Sequence, residues 1–324
     1  MTSKGTYVTS LVSGPGRCFR IAPVRYCEYF NQGEQCKFCN YNSTYDDARA
    51  IGHTPPKTID LEDTVEAYKI ISSNVRLVEG RFQSGAFKNS EQEANIHFRF
   101  AEKIATAASY RPNLCINTPP MDRTGIQRLK DPGLSSISFN LEVWGEEMFE
   151  AVCPGKARTR GFGRYLEANQ EAVDIFGFGG VSCNFIAGLS MIPENGHKTW
   201  QEARDSHIEG TRWLIKNGVM PVFTNLRLPP GSVYAEDKSN RDKLPPTDYL
   251  MDVALAHHND MMEFGLYEKL NKSLYCALCC TDGLYAGELN MLGLAGDVGS
   301  WMDSIIPKEG NWIAKFLESA TAIS

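Results

Sequence analysis

No window of this 324-residue chain reaches the 18 or more apolar residues of a membrane-spanning helix, so a helical membrane protein is excluded and no membrane partner is expected. Positive charge is not in excess either. The 33 Lys and Arg against 39 Asp and Glu leave a net charge of −6, which argues against nucleic acid as an obligate partner, because a polyanion wants a basic face. There is no Ser/Gly-rich linker, low-complexity tract, long charge block or clear tandem repeat, so nothing in the composition cuts the chain into separate units. The opening "MTSKGTYVTSLVSGPGRC" has only a short, weakly apolar patch and no cleavage site; a secretory signal is not expected and a cytoplasmic location is. Cysteine, by contrast, is plentiful. Ten cysteines in a reducing compartment argue for metal binding or plain burial before disulfides.

Three of them crowd the stretch "RYCEYFNQGEQCKFCNYN", residues 25–42, as Cys27, Cys36 and Cys39 in a C-x8-C-x2-C spacing. Disulfide partners, zinc ligands and ligands of an iron–sulfur cluster all compete for such a group. A structural zinc wants a fourth Cys or His. The nearest candidates, Cys18 and His53, stand at no finger-like spacing. Three thiolates without a fourth match a [4Fe–4S] cluster with one iron left open.

Short β-like runs alternate with helical stretches. "CFRIAPVRY", "VRLVEGRFQ", "NLCIN", "SSISFNLE", "VSCNFIAGL" and "MPVFTNLRL" read as strands. Helices are predicted near 60–73, 90–109, 121–130, 145–152, 162–176 and 198–217. Six such units in one run predict an α/β fold, a full or partial (β/α) TIM-type barrel, with its chemistry at the strands' C-terminal ends. The expected organisation is a barrel core with an N-terminal extension over 1–240, and a part over 241–324 that completes or caps it. Asn140 and Glu142 alternate along the fourth strand and are expected to share the lumen face. Ser84, Gly85 and Ala86 close the second strand with little side-chain bulk, either to let backbone groups approach a ligand or as an ordinary turn.

The cysteine loop resembles the cluster-binding loop of radical S-adenosylmethionine (SAM) enzymes, although that family usually has three residues between the first two cysteines and this chain has eight. "RFQSGAFKN" (81–89), "LKDPGLSSISFNLE" (129–142), "ARTRGFGRYLEANQEAV" (157–173), "VSCNFIAGL" (181–189) and "PVFTNLRL" (221–228) come in the order found in biotin synthase and its relatives. The likeness covers roughly residues 19–235. It implies that Cys27, Cys36 and Cys39 hold a [4Fe–4S] cluster whose open iron is chelated by SAM. It further implies SAM contacts at Phe38, Ser84, Gly85, Glu142 and Arg160 or Arg164, and a substrate contact at Asn140; Asn225, which ends "VFTN", is a further candidate substrate contact because a buried Asn needs hydrogen-bond partners. No catalytic residue is assigned beyond these.

Biotin synthase has a second, sulfur-donating cluster inside its barrel. Cys115 and Cys183 lie near two of the matching positions, but Gln83 stands where another cysteine would be. "YCALCCTDG" adds Cys276, Cys279 and Cys280, so a second iron–sulfur cluster drawn from these five is one option and simple burial the other. Cys18 and Cys153 are read as core residues, and His257–His258 as a polar helix feature rather than a ligand pair. The resemblance implies reductive cleavage of SAM and hydrogen abstraction from a small-molecule or carrier-bound substrate, with a reduced flavodoxin- or ferredoxin-type electron donor. Sulfur insertion is the first expectation for the reaction. The alternatives are carbon-skeleton rearrangement or C–C cleavage of an amino-acid-like substrate, and, in another class, a non-enzymatic zinc-binding protein.

Overall fold

The computed structural model describes residues 1–269 apart from 15–17, 53, 55, 76, 78, 108–111 and 132, and apart from the side chains of 44, 267 and 268. The elements in chain order are α1 (Val8–Leu11), β1 (Cys18–Ile21), α2 (Ser43–Ala50), α3 (Leu61–Ser72), β2 (Glu79–Gln83), α4 (Ser90–Ala107), β3 (Asn113–Asn117), α5 (Arg123–Lys130) and β4 (Ser136–Ser138). Then follow α6 (Glu146–Val152), α7 (Pro154–Thr159), α8 (Phe162–Phe176), β5 (Val181–Ala187), α9 (Trp200–Lys216), β6 (Val219–Asn225), α10 (Val233–Glu236), α11 (Thr247–Glu263) and α12 (Leu266–Lys269). Local chemistry starts the longer helices where they start. Asp60 caps α3 through the Asp63 N–H at 2.8 Å, Asp122 caps α5 through the Gly125 N–H at 2.7 Å, and Thr199 with Glu202 forms a capping box at the head of α9.

All six strands are parallel and lie in sequence order β1 to β6. Among the described residues β1 and β6 are edges. Over the described residues the sheet is an open, six-stranded partial barrel. Register fixes which side chains share a face, since partners across a parallel ladder point the same way. Phe19 packs on Tyr68 of α3 with ring centroids 5.1 Å apart, and Phe185 and Phe223 pack on His207 of α9, so these mark the outer, helix-covered face. Arg81, Cys115 and Ser136 are register partners, as are Ser138 and Ser182, and they mark the inner face. Helix α11 joins the same core through Tyr249, Val253 and Ala254 and is tied to α9 by the Arg204–Asp252 and Arg212–Asp260 pairs.

The fourth strand is shorter than expected. It ends at Ser138, and the chain then bulges: the Phe139 N–H bonds to the Ser182 carbonyl at 3.2 Å, the Leu141 N–H to the Cys183 sulfur at 3.3 Å, and the Glu142 N–H to the Asn184 carbonyl at 2.8 Å. One residue too many separates the first and last of these bonds for a regular ladder. Glu142 absorbs it with φ +71°, the one positive φ at a non-glycine among the described residues. Such a conformation costs about 1–3 kcal/mol and persists only where its surroundings impose it.

Candidate active site

The cysteine loop sits at the C-terminal edge of the sheet and is bonded on every side. Gly85 donates to the Val24 carbonyl at 3.2 Å, the Ser84 hydroxyl accepts from the Val24 N–H at 3.3 Å, and the Ala86 carbonyl accepts from Glu28 at 2.9 Å. Ser84 and Gly85 thus carry the loop. A Cβ at Gly85 would fall 2.4 Å from the Tyr26 carbonyl oxygen and 2.7 Å from the Cys27 nitrogen. Asn42, buried, clamps the Cys27 backbone from both sides, accepting from its N–H at 2.8 Å and donating to its carbonyl at 3.1 Å. Farther along, Lys37 donates to the Val152 carbonyl at 2.9 Å and accepts from Tyr234 at 3.0 Å, while Asn40 donates to the Pro230 carbonyl at 3.1 Å. Phe38 is half-buried and packs against the main core.

The three thiols are close enough to feel one another's charge. Burial pushes Cys27 up to about 11, against N–H donors from Tyr29 and Ala86 that favour its thiolate. Burial, and then Cys36, push Cys39 up to about 12. Cys36 is drawn down by a hydrogen bond from the Cys153 thiol, with help from the Lys156 ammonium. A cluster of half-buried thiols whose thiolates repel each other is a donor set that a bound cation stabilises. Zinc fits less well. Among the described residues no three His, Cys, Asp or Glu side chains converge on a single-ion site. Cys18 opens β1 at the opposite end of the strand from the loop, and His53 lies outside the described residues.

Next to Cys36 lies a buried charge pair that the sequence did not single out. Lys156 of α7 places its Nζ 2.9 Å from Glu142 Oε1 and 3.2 Å from the Asn140 carbonyl, with both charged side chains at most 14% exposed. Burial alone would lower the ammonium, but Glu142, with Tyr165, Cys36 and Cys153, holds it well above its ordinary range. Asn184 Nδ2 donates to Glu142 Oε2 at 3.1 Å, and Asn140 Oδ1 accepts from the Asn184 N–H at 3.1 Å and from the Ser138 hydroxyl at 2.8 Å. Asn140 and Glu142 therefore do meet at the mouth of the inner face. They meet through the bulge and not through regular alternation. Lys156 was hidden inside "GKARTR", which reads as a solvated basic run, and only Pro154 at the first helical position hints that α7 begins there.

The arginines behave differently from each other. Arg160 caps α7 and donates to the carbonyls of Pro120, Thr159 and Lys88 at 3.0–3.2 Å, pinning the loops after β2 and β3 at the C-terminal edge of the sheet. Arg164 is not brought to this group: its guanidinium pairs with Glu171 at 2.6 Å and with the Met121 carbonyl at 2.6 Å. Asn225 ends β6 on the exposed side of the edge strand. Cys115 lies on the inner face and Cys183 on the outer, where the Leu141 N–H binds its sulfur, so the two cannot share a cluster. Cys276, Cys279 and Cys280 lie outside the described residues.

No protein-family model matches the chain. A stretch of 168 residues, 49% of the chain, is 32% identical to the bacteriochlorophyllide c C-7(1)-hydroxylase of Chlorobaculum limnaeum and covers 39% of that protein. The structure is similar to the FeFe-hydrogenase maturase HydG of Carboxydothermus hydrogenoformans, with a TM-score of 0.55 at 15% identity over 79% of this chain and 54% of that one. It is also similar to methylornithine synthase (PylB), with a TM-score of 0.54 at 14% identity over 74% of this chain and 62% of that one. The chain thus spans less than two thirds of the length of each of these relatives. No helix among the described residues is long and apolar enough to cross a membrane. At such identities the likeness to solved structures is one of fold: over its described residues the chain forms an open, parallel (β/α) partial barrel, the fold that the resemblance drawn from the sequence implies.

Proposed function

We propose that this chain is a radical SAM enzyme, with Cys27, Cys36 and Cys39 holding a [4Fe–4S] cluster at the mouth of the partial barrel. The observation that carries the reading is the juxtaposition of three mutually perturbing thiols with the Lys156–Glu142 pair, on the strand edge where this fold does its chemistry. When bound, the cluster and SAM supply a one-electron cleavage that yields methionine and a 5′-deoxyadenosyl radical, with the electron coming from a reduced flavodoxin- or ferredoxin-type donor. The protein's part is binding and exclusion. Lys156 and Glu142 offer both signs of charge to the zwitterionic methionyl end of SAM. Arg160 holds two loops around it, and Asn140, whose carbonyl oxygen is already engaged, turns its N–H groups to a small-molecule substrate. A closed, dry mouth matters because a primary alkyl radical must meet its target before solvent.

For the step after hydrogen abstraction, the relative among the hydroxylases favours conversion of an unactivated C–H bond to an alcohol. Sulfur insertion needs a second cluster. With Cys183 on the outer face it rests on Cys276, Cys279 and Cys280, joined at most by Cys115.

The test is an anaerobic iron and sulfide count together with 5′-deoxyadenosine release from SAM under a low-potential reductant. Four irons and four sulfides, both lost with release in the C27A/C36A/C39A variant, is the expected result; zinc without iron sinks the reading. Iron that survives in that variant and disappears when Cys276, Cys279 and Cys280 are also replaced would favour sulfur insertion.

A further inference from the structure

The α6–α7 junction runs antiparallel to the cysteine loop. The Gly155 N–H bonds to the Glu34 carbonyl at 3.0 Å, and the Lys37 N–H to the Val152 carbonyl at 2.9 Å. Residue 34 therefore faces 155 and residue 37 faces 152, which sets Cys36 opposite Cys153. The two bonds bracket both cysteines without forming a regular ladder, since Gly155 already belongs to α7 and Pro154 has no N–H to give. Segments tied by backbone bonds on both flanks bring the facing Cα atoms toward the about 4.4–6.8 Å span of disulfides. Their proximity agrees with the electrostatics, in which Cys153 is the first cause that draws the Cys36 thiol down. Exposure divides the pair: Cys36 is partly accessible and Cys153 is fully buried.

We propose that Cys36 and Cys153 are a redox pair that closes into a disulfide when the cysteine triad holds no metal, withdrawing Cys36 from the ligand set until a dithiol reopens it. The consequence for loading rests on the cluster assignment above; the pairing does not. With hydrogen peroxide as the oxidant, the Cys36 sulfur attacks one peroxide oxygen, the O–O bond breaks, and a sulfenic acid forms as the other oxygen leaves as water with the thiol proton. The buried Cys153 sulfur then attacks that sulfenic sulfur, the S–O bond breaks, and a second water leaves. Two thiols and one peroxide give one disulfide and two waters, and thiol–disulfide exchange with an external dithiol reverses the result. The other described cysteines are placed differently. Cys115 and Cys183 lie on opposite faces of the sheet, and Cys18 is at its far end. Metal and disulfide are thus alternative fates of one sulfur, and the disulfide shields an empty site from oxidation to the irreversible sulfinic acid.

The experiment treats the full-length protein, cluster-free and iron-loaded in parallel, with limiting hydrogen peroxide, blocks the remaining thiols, and maps peptides without reduction. A Cys36–Cys153 cross-link confined to the cluster-free sample is expected, with iron uptake falling to background and returning after dithiol treatment. The C153S variant should take up iron like the wild type, form no such cross-link, and accumulate Cys36 sulfinic acid instead. Cross-links among Cys27, Cys36 and Cys39, or Cys36 oxidation in the wild type with Cys153 left free, would overturn the proposal. So would a folded C153S protein that fails to hold iron, because Cys153 would then be a ligand. If the untreated wild type takes up no iron, the cluster assignment fails, and the peptide map still decides the pairing.

Discussion

Removing Lys156 tests how far the buried charge pair shapes the site. At 2.9 Å and an effective dielectric of 20, the attraction to Glu142 is about 6 kcal/mol before either group's desolvation is subtracted. Much of that is offset by burying the two charges, so the pair as a whole adds little. Breaking it is another matter. Lys156→Met leaves the Glu142 carboxylate with Asn184 as its remaining side-chain donor, at φ +71° and with almost no access to water. The expected loss is about 3–5 kcal/mol, the cost of stranding a buried charge. Glu142→Gln strands the buried Lys156 ammonium in turn and should cost a comparable amount, and the double variant should recover about 2–3 kcal/mol relative to the sum of the singles. Urea unfolding of the reduced, cluster-free protein reads these values without bound metal distorting two-state behaviour. The folded ammonium is held above its unfolded value, so its contribution is complete below an unfolded pKa of about 10.4 and fades only as pH rises through the folded value. The Lys156→Met deficit should therefore stay flat between pH 6.5 and 9, taken as about the range over which an unfolded Lys remains charged. Single-variant losses that add to within about 0.5 kcal/mol would show that the two side chains are uncoupled and refute the argument.

Other outcomes follow from the same geometry. Gly85→Ala must push the Tyr26–Cys27 backbone aside, costing about 1–3 kcal/mol and lowering iron retention on gel filtration, whereas Gly163→Ala, with open space around it, should leave retention unchanged. Asn42→Asp keeps the acceptor for the Cys27 N–H but loses the donor to its carbonyl, so it should destabilise by about 1–3 kcal/mol, measured by thermal unfolding. His207, pushed down to about 3 by burial and then by His257, is depressed below its unfolded value, so its stabilisation is present above about pH 6.5 and is lost at about 1.4 kcal/mol per pH unit as pH falls toward the folded value. His207→Phe should flatten that slope in acid titrations of stability. Arg164→Ala should leave SAM affinity unchanged by equilibrium dialysis, because its partners are Glu171 and the Met121 carbonyl.

The periodic elements were legible because their signals are local. "NLCIN" is β3 residue for residue, and the predicted helix over 162–176 is α8 to the residue. The end of β4 was not, since the alternation of "SISFNLE" continues through a bulge that only the pairing with β5 reveals. The burial of Cys153 could be read from its apolar setting, but not that Cys36 lies across from it, because that contact joins segments more than a hundred residues apart. Lys156 escaped for the same reason: a lysine in a basic run acquires a buried partner only once α7 is folded against the bulge.

The backbone bonds of Lys37 run to residues 152 and 234, and this has a bearing on biogenesis. A ribosome delivers the three thiols of the triad early, yet the scaffold that sets their spacing is completed only after α10 has emerged. Contacts of such high sequence separation form late and slowly. Until residue 234 has been made, the nascent chain carries these thiols without part of the backbone scaffold that holds them in the folded chain. For the cluster proposed above, delivery to the finished chain would meet a shaped receptor, and delivery during translation an unshaped one.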